Sequence, residues 1–165
     1  LVQRNPAHRN KAQGIADRAM EVFLKARNHV TLYPGADAAL RALARTYALC
    51  TLTNGNADVG QLPIGNLFQL KLSAEDVGAP KPNPALFLAA LEQFQCQPDE
   101  MIYVGDDPVL DVDAASKLGI YTIWKATDET FAAAEATNAS ETIVDLTALP
   151  DAIARINARI STERE

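Results

Sequence analysis

The sequence predicts a parallel α/β fold, and three observations predict it. Apolar, β-favouring runs recur along the chain, at 47–53, 67–72, 101–105, 120–124 and 141–146. Segments with apolar residues at helical spacing separate most of them. The run "YALCTLT" at 47–53 is apolar or β-favouring almost throughout, the pattern of a strand buried on both faces of a parallel sheet.

The elements follow in order. Residues 7–28 read as a helix, with Ile15, Ala19, Val22, Phe23 and Ala26 at helical spacing and Asp17, Arg18, Glu21 and Lys25 on its other faces. "YPGAD" at 33–37 is a turn that leads into a helix through "AALRALART". After the strand at 47–53 comes a more alternating one, "LFQLKL". Asn83 then supplies a helix cap with Pro84 at the first helical position, and that helix is expected to reach Phe94. "MIYVG" at 101–105 is a strand ending in glycine. Asp107 and Pro108 repeat the cap arrangement for a helix to Leu118. Strands at 120–124 and 141–146 and a helix through "LTALPDAIARINARI" close the chain. Residues 126–140 are polar and alanine-rich, and an exposed loop with a short helix is expected there.

Composition narrows the function classes. The chain has 165 residues, enough for one domain with a real core, and is 48% hydrophobic and 22% charged. A net charge of −6 argues against a nucleic-acid surface, and no apolar run approaches a membrane span. No basic-then-apolar leader opens it. Cys50 and Cys96, without a disulfide framework, read as reduced thiols, so a cytoplasmic location is expected. The chain begins at Leu1 rather than methionine, and the expectation is a piece of something longer.

In parallel sheets ligands bind beyond the carboxyl ends of the strands. Three such ends carry polar groups here. The first is Thr53-Asn54-Gly55. The loop after the second strand holds Lys81 between Pro80 and Pro82, which restrict the backbone on both sides. The third brings Asp106 and Asp107, with Asp111 one helical turn on. A hydroxyl with backbone donors, a cation and an acidic cluster suited to a hard ion such as Mg²⁺ together fit a phosphoryl group. Each has a plainer explanation. Asp107 caps a helix, and Asp111 favours the positive end of that helix. Asp106 has no such structural reason. Asp113 lies mid-helix, facing away from Asp111, and reads as solvated. His8 and His29 stand without partners at ligand spacing, while Trp124 and the phenylalanines read as core.

In this order "ALCTLTNGN", "GAPKPNPALF" and "MIYVGDDPVLDVDAASKLG" resemble the second, third and fourth motifs of the haloacid dehalogenase-like hydrolase superfamily, over roughly residues 30–146. The resemblance implies a Rossmann-like, doubly wound parallel sheet over 29–165, with residues 1–28 as the last helix of a cap domain. It implies that Thr53 and the Asn54 backbone hold the phosphate and that Lys81 steadies a charged intermediate. Asp106 would bind Mg²⁺, with Asp111 ordering the site and Asp107 assisting. The wording is similar to subfamily I phosphatases, above all those acting on a phosphorylated ribitylaminouracil of flavin synthesis. A small phosphorylated metabolite is therefore the expected partner, with neither nucleic acid nor membrane, and a dimer is left open.

The family's first motif is missing. It is an Asp-x-Asp at the end of the first strand, whose first Asp is the nucleophile and whose second is the general acid/base. The D-x-D present here, Asp111-Val112-Asp113, is not at a strand end; Asp17 lies in a helix and Asp37 follows a turn. The missing strand would run between those ending at Thr53 and Gly105, and most of the cap would be missing with it. The chain alone is therefore expected to be inactive. A non-catalytic remnant and a 2-haloacid dehalogenase are the alternatives. A phospho-receiver fails, because Lys81 precedes Asp106 rather than coming last.

Overall fold

The computed structural model describes residues 6–131 and 137–163. Its strands are β1 (Cys50–Thr53), β2 (Leu70–Ser73), β3 (Ile102–Gly105), β4 (Tyr121–Lys125) and β5 (Glu141–Ile143). Every pairing among them is parallel, but they form two ribbons: β1 with β2, and β3-β4-β5. In register, Thr53 lies beside Ser73 and Gly105 beside Trp124.

Helices cover both faces. On one, α4 (Ala85–Phe94) and α5 (Ala114–Ser116) bury Leu86, Phe87, Ala90 and Ala115 with Leu52 of β1. On the other, α2 (Ala36–Leu43) and α6 (Leu149–Glu163) pack Leu43, Ile153 and Ile156 against Ile123 and Ile143. Adjacent strand residues such as Ile102 and Tyr103 join opposite faces, as the pleat requires. The remaining helices are the long α1 (Pro6–Arg27) and the single turn α3 (Ala74–Val77), which Ser73 and Asp76 open with a reciprocal capping box.

Several boundaries moved inward from their sequence expectation, each for a local reason. β1 starts only at Cys50, because Tyr47 is held by Asn157 (Nδ2 to the phenol oxygen, 2.8 Å) and the Leu49 N–H is taken by the Gln69 side chain at 2.6 Å. β2 starts at Leu70 because Gly65–Leu67 forms a 3₁₀ turn. The helix after Asp107 opens as a π-helical turn, Pro108–Asp113, in which the N–H groups of Asp111 and Val112 both donate to the Asp107 carbonyl. The last strand ends at Ile143, and Asp145 caps a 3₁₀ turn leading into α6. Trp124 and Phe87 are core as expected, but Phe23 and Phe131 are 51% and 48% exposed. Residues 132–136 of the expected polar loop lie outside the described residues.

Among the described residues, the inner edges of the two ribbons face each other without pairing: β1 bonds only to β2, and β3 only to β4. Between them runs a cleft of about 790 Å³, flanked by Cys50, Thr51 and Leu52 on one side and Ile102, Tyr103 and Val104 on the other. Thr51 Oγ1 is buried with no hydrogen-bond partner among the described residues. The cleft stands where the family resemblance puts a first strand.

In a parallel ladder a strand with one neighbour bonds through alternate residues, leaving the others' N–H groups pointing to its free side. Hydrogen exchange is therefore expected to be slow throughout β4 and fast at alternate amides of β1 and β3. Uniform protection of β1 and β3 in this chain would show that the cleft is closed.

Candidate active site

Leu52 and Val104 line this cleft, and the polar residues follow them directly at the carboxyl ends of β1 and β3. At the end of β1, Thr53 Oγ1 accepts the Gly55 N–H at 2.9 Å, folding the loop back on the strand. The Asn54 side chain reaches the next loop. Its Oδ1 accepts the Lys81 N–H at 2.7 Å and its Nδ2 donates to the Lys81 carbonyl at 3.0 Å. This reciprocal amide clamp fixes the backbone of Lys81, whose bond to Pro82 is cis.

From there the Lys81 side chain spans the gap between ribbons. Its Nζ donates to Asp111 Oδ1 at 2.6 Å and to the Tyr103 hydroxyl at 2.7 Å. The Tyr103 hydroxyl donates in turn to the same Asp111 oxygen at 3.0 Å. The Lys81 and Asp111 side chains are only 9% and 7% exposed, so their charges are screened little by water. Burial, and then the charge of Asp111, push the Tyr103 phenol far above its ordinary range, which keeps it a donor. Asp111 Oδ2 accepts the Asp107 N–H at 3.2 Å. Gly105 makes room for this packing, since a Cβ there would overlap the Asp111 side chain.

The three carboxylates of the acidic cluster thus have separate surroundings. Asp111 is buried and committed to Lys81, Tyr103 and the Asp107 backbone. Asp107 caps the π-helical turn through Oδ1, which accepts from Val109 and Leu110 at 2.9 and 2.8 Å. Asp106 is exposed, and its carboxylate accepts no hydrogen bond from the described residues. Its main chain is anchored instead, by Trp124 Nε1 donating to its carbonyl at 2.9 Å. Asp113 points elsewhere and accepts from Asn138 at 2.9 Å. Among the described residues no three His, Cys, Asp or Glu side chains gather closely enough to hold a metal ion unaided.

Three contributors had no signal in the sequence: the Asn54 clamp, the Tyr103 hydroxyl and Arg27. Arg27 ends α1, and its Nη2 lies 2.8 Å from the point where a Gly55 Cβ would stand, itself 3.3 Å from Thr53 Oγ1. Asn28 ties the same helix end down by accepting the Asp58 N–H at 3.0 Å. A guanidinium therefore borders the Thr53 loop. Cys50 and Cys96 are both free thiols; burial, and secondarily the Cys96 thiol, push Cys50 up to about 11, so it stays protonated at neutral pH. Chemically, these strand ends offer cations, a hydroxyl and an exposed carboxylate, a set that can hold an anionic group and a cation together.

Known proteins resemble this chain in sequence and in fold. The chain is 37% identical to a phosphoserine phosphatase of Thermus thermophilus over 123 residues, covering 69% of this chain and 49% of that protein. It is 31% identical to a 5-amino-6-(5-phospho-D-ribitylamino)uracil phosphatase of Escherichia coli, covering 69% and 48%. The chain thus spans about half the length of the curated relatives it matches. Among solved structures, a 2-haloacid dehalogenase from Pseudomonas syringae superposes with a TM-score of 0.78 at 37% identity, covering 88% of this chain and 63% of that one. Residues 3–125, three quarters of the sequence, match the family described as haloacid dehalogenase-like hydrolase, and to that family this chain belongs.

Proposed function

We propose that the intact protein is a Mg²⁺-dependent phosphomonoesterase acting on a small phosphorylated metabolite through an aspartyl-phosphate intermediate. The observation that carries the reading is the buried Lys81 ammonium, whose backbone is clamped by Asn54 at the end of β1 and whose charge is paired with Asp111 beyond the end of β3. A phosphoryl group at these strand ends would have its oxygens met by the Thr53 hydroxyl and the Asn54 backbone and its charge balanced by Lys81. On this reading the nucleophilic aspartate would come from a further strand, and the bare facing edges of β1 and β3 support a place for it in the cleft between them. α1 would then be the last helix of the cap, and Arg27 would stand where cap and core meet the substrate.

The donor set fits a hard divalent cation. Asp106 offers a carboxylate that accepts no hydrogen bond among the described residues, and Asp107 Oδ2 takes none of the capping bonds. Asp106 would hold the ion with Asp107 beside it, while Asp111 orders the site through Lys81. When bound, Mg²⁺ would neutralise charge developing on the phosphoryl oxygens. The likeness to phosphatases acting on phosphoserine and on a ribitylaminouracil phosphate supports a small phosphorylated substrate of that kind.

A second reading, 2-haloacid dehalogenase, is favoured by the structural likeness to one such enzyme. That reaction needs no metal, and the exposed Asp106 would repel a carboxylate substrate, so the phosphatase reading is preferred. A non-catalytic scaffold is the third reading, resting on the absent nucleophile. The retention of Thr53, Lys81 and Asp106 in one site speaks against it.

The chain as it stands is expected to hydrolyse no p-nitrophenyl phosphate, with or without Mg²⁺. Fusing an apolar strand that ends in Asp-x-Asp ahead of α1, through the cap, should restore Mg²⁺-dependent turnover. Turnover by the 165-residue chain alone would mean another nucleophile is at work.

In the extended protein, Asp106→Asn should abolish the Mg²⁺-dependent rate while circular dichroism stays unchanged. A full rate in that variant would remove Asp106 from the metal site.

Lys81→Ala should be nearly as damaging, and should also lower unfolding stability by about 3–5 kcal/mol, because Asp111 would be left as a buried, unpaired charge. A variant as stable as the parent, or one altered only in pH optimum, would place the lysine away from the phosphate.

A further inference from the structure

We infer that Tyr103 is a positioning residue for Lys81: its hydroxyl and Asp111 take up two of the three N–H groups of the ammonium and so fix the direction of the third. The inference deepens the phosphatase reading, because it says how that site points its cation.

The geometry is a closed triangle. Lys81 Nζ lies 2.7 Å from the Tyr103 oxygen and 2.6 Å from Asp111 Oδ1, and the tyrosine donates to that same carboxylate oxygen at 3.0 Å. An ammonium has three donors and no acceptor. A single carboxylate partner would leave it free to swivel about the C–N bond; a second acceptor at a different angle removes that freedom. Tyr103 is itself held. Its ring meets Phe87 edge-on, with centroids 4.9 Å apart, and Phe87 is fully buried. The ammonium lies 5.3 Å from the Tyr103 ring centroid and 2.7 Å from its oxygen, so it sits beyond the hydroxyl end of the ring and meets the hydroxyl rather than the ring face. The lysine backbone is fixed independently by Asn54, so both ends of the side chain are tied. A phenylalanine at 103 would keep the ring and the Phe87 contact and lose only the second acceptor.

The test reads the ammonium directly, in the 165-residue chain, by ¹⁵N NMR of the lysine side chains. In the parent, the Lys81 ammonium should exchange its protons slowly and show restricted ¹⁵N relaxation, unlike exposed lysines such as Lys11 or Lys117. In Tyr103→Phe exchange should accelerate about tenfold, the equivalent of one charge-assisted hydrogen bond, while Tyr47→Phe should change nothing. An ammonium equally ordered in Tyr103→Phe, or one already mobile in the parent, overturns the inference. Should Tyr103→Phe fail to fold, Lys81→Met reads the same bond from the other side: the Tyr103 ¹³Cζ resonance should shift, and an unmoved resonance counts against the contact. In the extended protein Tyr103→Phe should lower kcat and leave KM nearly unchanged. None of the NMR outcomes depends on turnover, so an ordered ammonium in an extended protein without phosphatase activity would keep the positioning and sink the functional reading.

Discussion

The interaction on which this molecule turns is the buried ion pair between Lys81 and Asp111. Lys81 follows the β1-β2 ribbon and Asp111 follows β3 of the other, and among the described residues no ladder hydrogen bonds join the two. The apolar layer through Leu52, Phe87 and Ala115 holds one face together. At the functional end of the strands the junction is polar, and it runs from Asn54 through Lys81 and Tyr103 to Asp111. A buried pair of this kind adds little net stability when complete, but removal of either partner is expensive. Its effect is therefore specificity: it fixes the distance and register between two halves whose strands do not touch.

That register matters because of what lies between the halves. Buried strands pair on both sides, and an unmet backbone group away from water costs on the order of 1–3 kcal/mol. β1 and β3 each present one bare edge to an apolar cleft, and Thr51 adds an unmet hydroxyl. Two parallel edges facing each other across such a cleft have the chemistry of a slot for one more parallel strand. Any residue at the carboxyl end of that strand would emerge beside Thr53, Lys81 and Asp106 together.

Much of the fold was legible because its signals are local. The Asp107-Pro108 pair marks a helix start through a side-chain cap, Asp107 accepting from Val109 and Leu110; at α4 the expectation was one residue early, since Pro84 takes the cap position without a side-chain cap and Asn83, before it, accepts the Ala85 N–H. The apolar run through β1 and the glycine closing β3 located the strand ends. Strand lengths were less legible, since Tyr47 and Leu49 are drawn off by Asn157 and Gln69, partners that no local pattern reveals. In the site, Thr53, Lys81 and Asp106 could be singled out by chain order and strand-end position. Tyr103 could not, because it sits within an apolar run and looks like core; only its contacts with Lys81, 22 residues away in sequence, and with Asp111 give it a polar task. Arg27 reads in sequence as the solvated last turn of a helix, and only folding brings it to Gly55.

The acidic cluster at the end of β3 resolves into a division of labour set by burial. Three carboxylates within six residues would repel one another if all faced the same water-filled mouth. Asp111 escapes by turning inward, where Gly105 leaves space and Lys81 neutralises it. Asp107 escapes by spending one oxygen on helix N–H groups. Asp106 alone of the three is exposed with no hydrogen bond to its carboxylate among the described residues, and Trp124 anchors its backbone. A carboxylate held facing outward, beside a lysine held by its neighbour, separates the two charges that a bound anion and cation would each need. The sequence places these residues together; the burial of one, the capping by another and the anchoring of the third give them different chemistry.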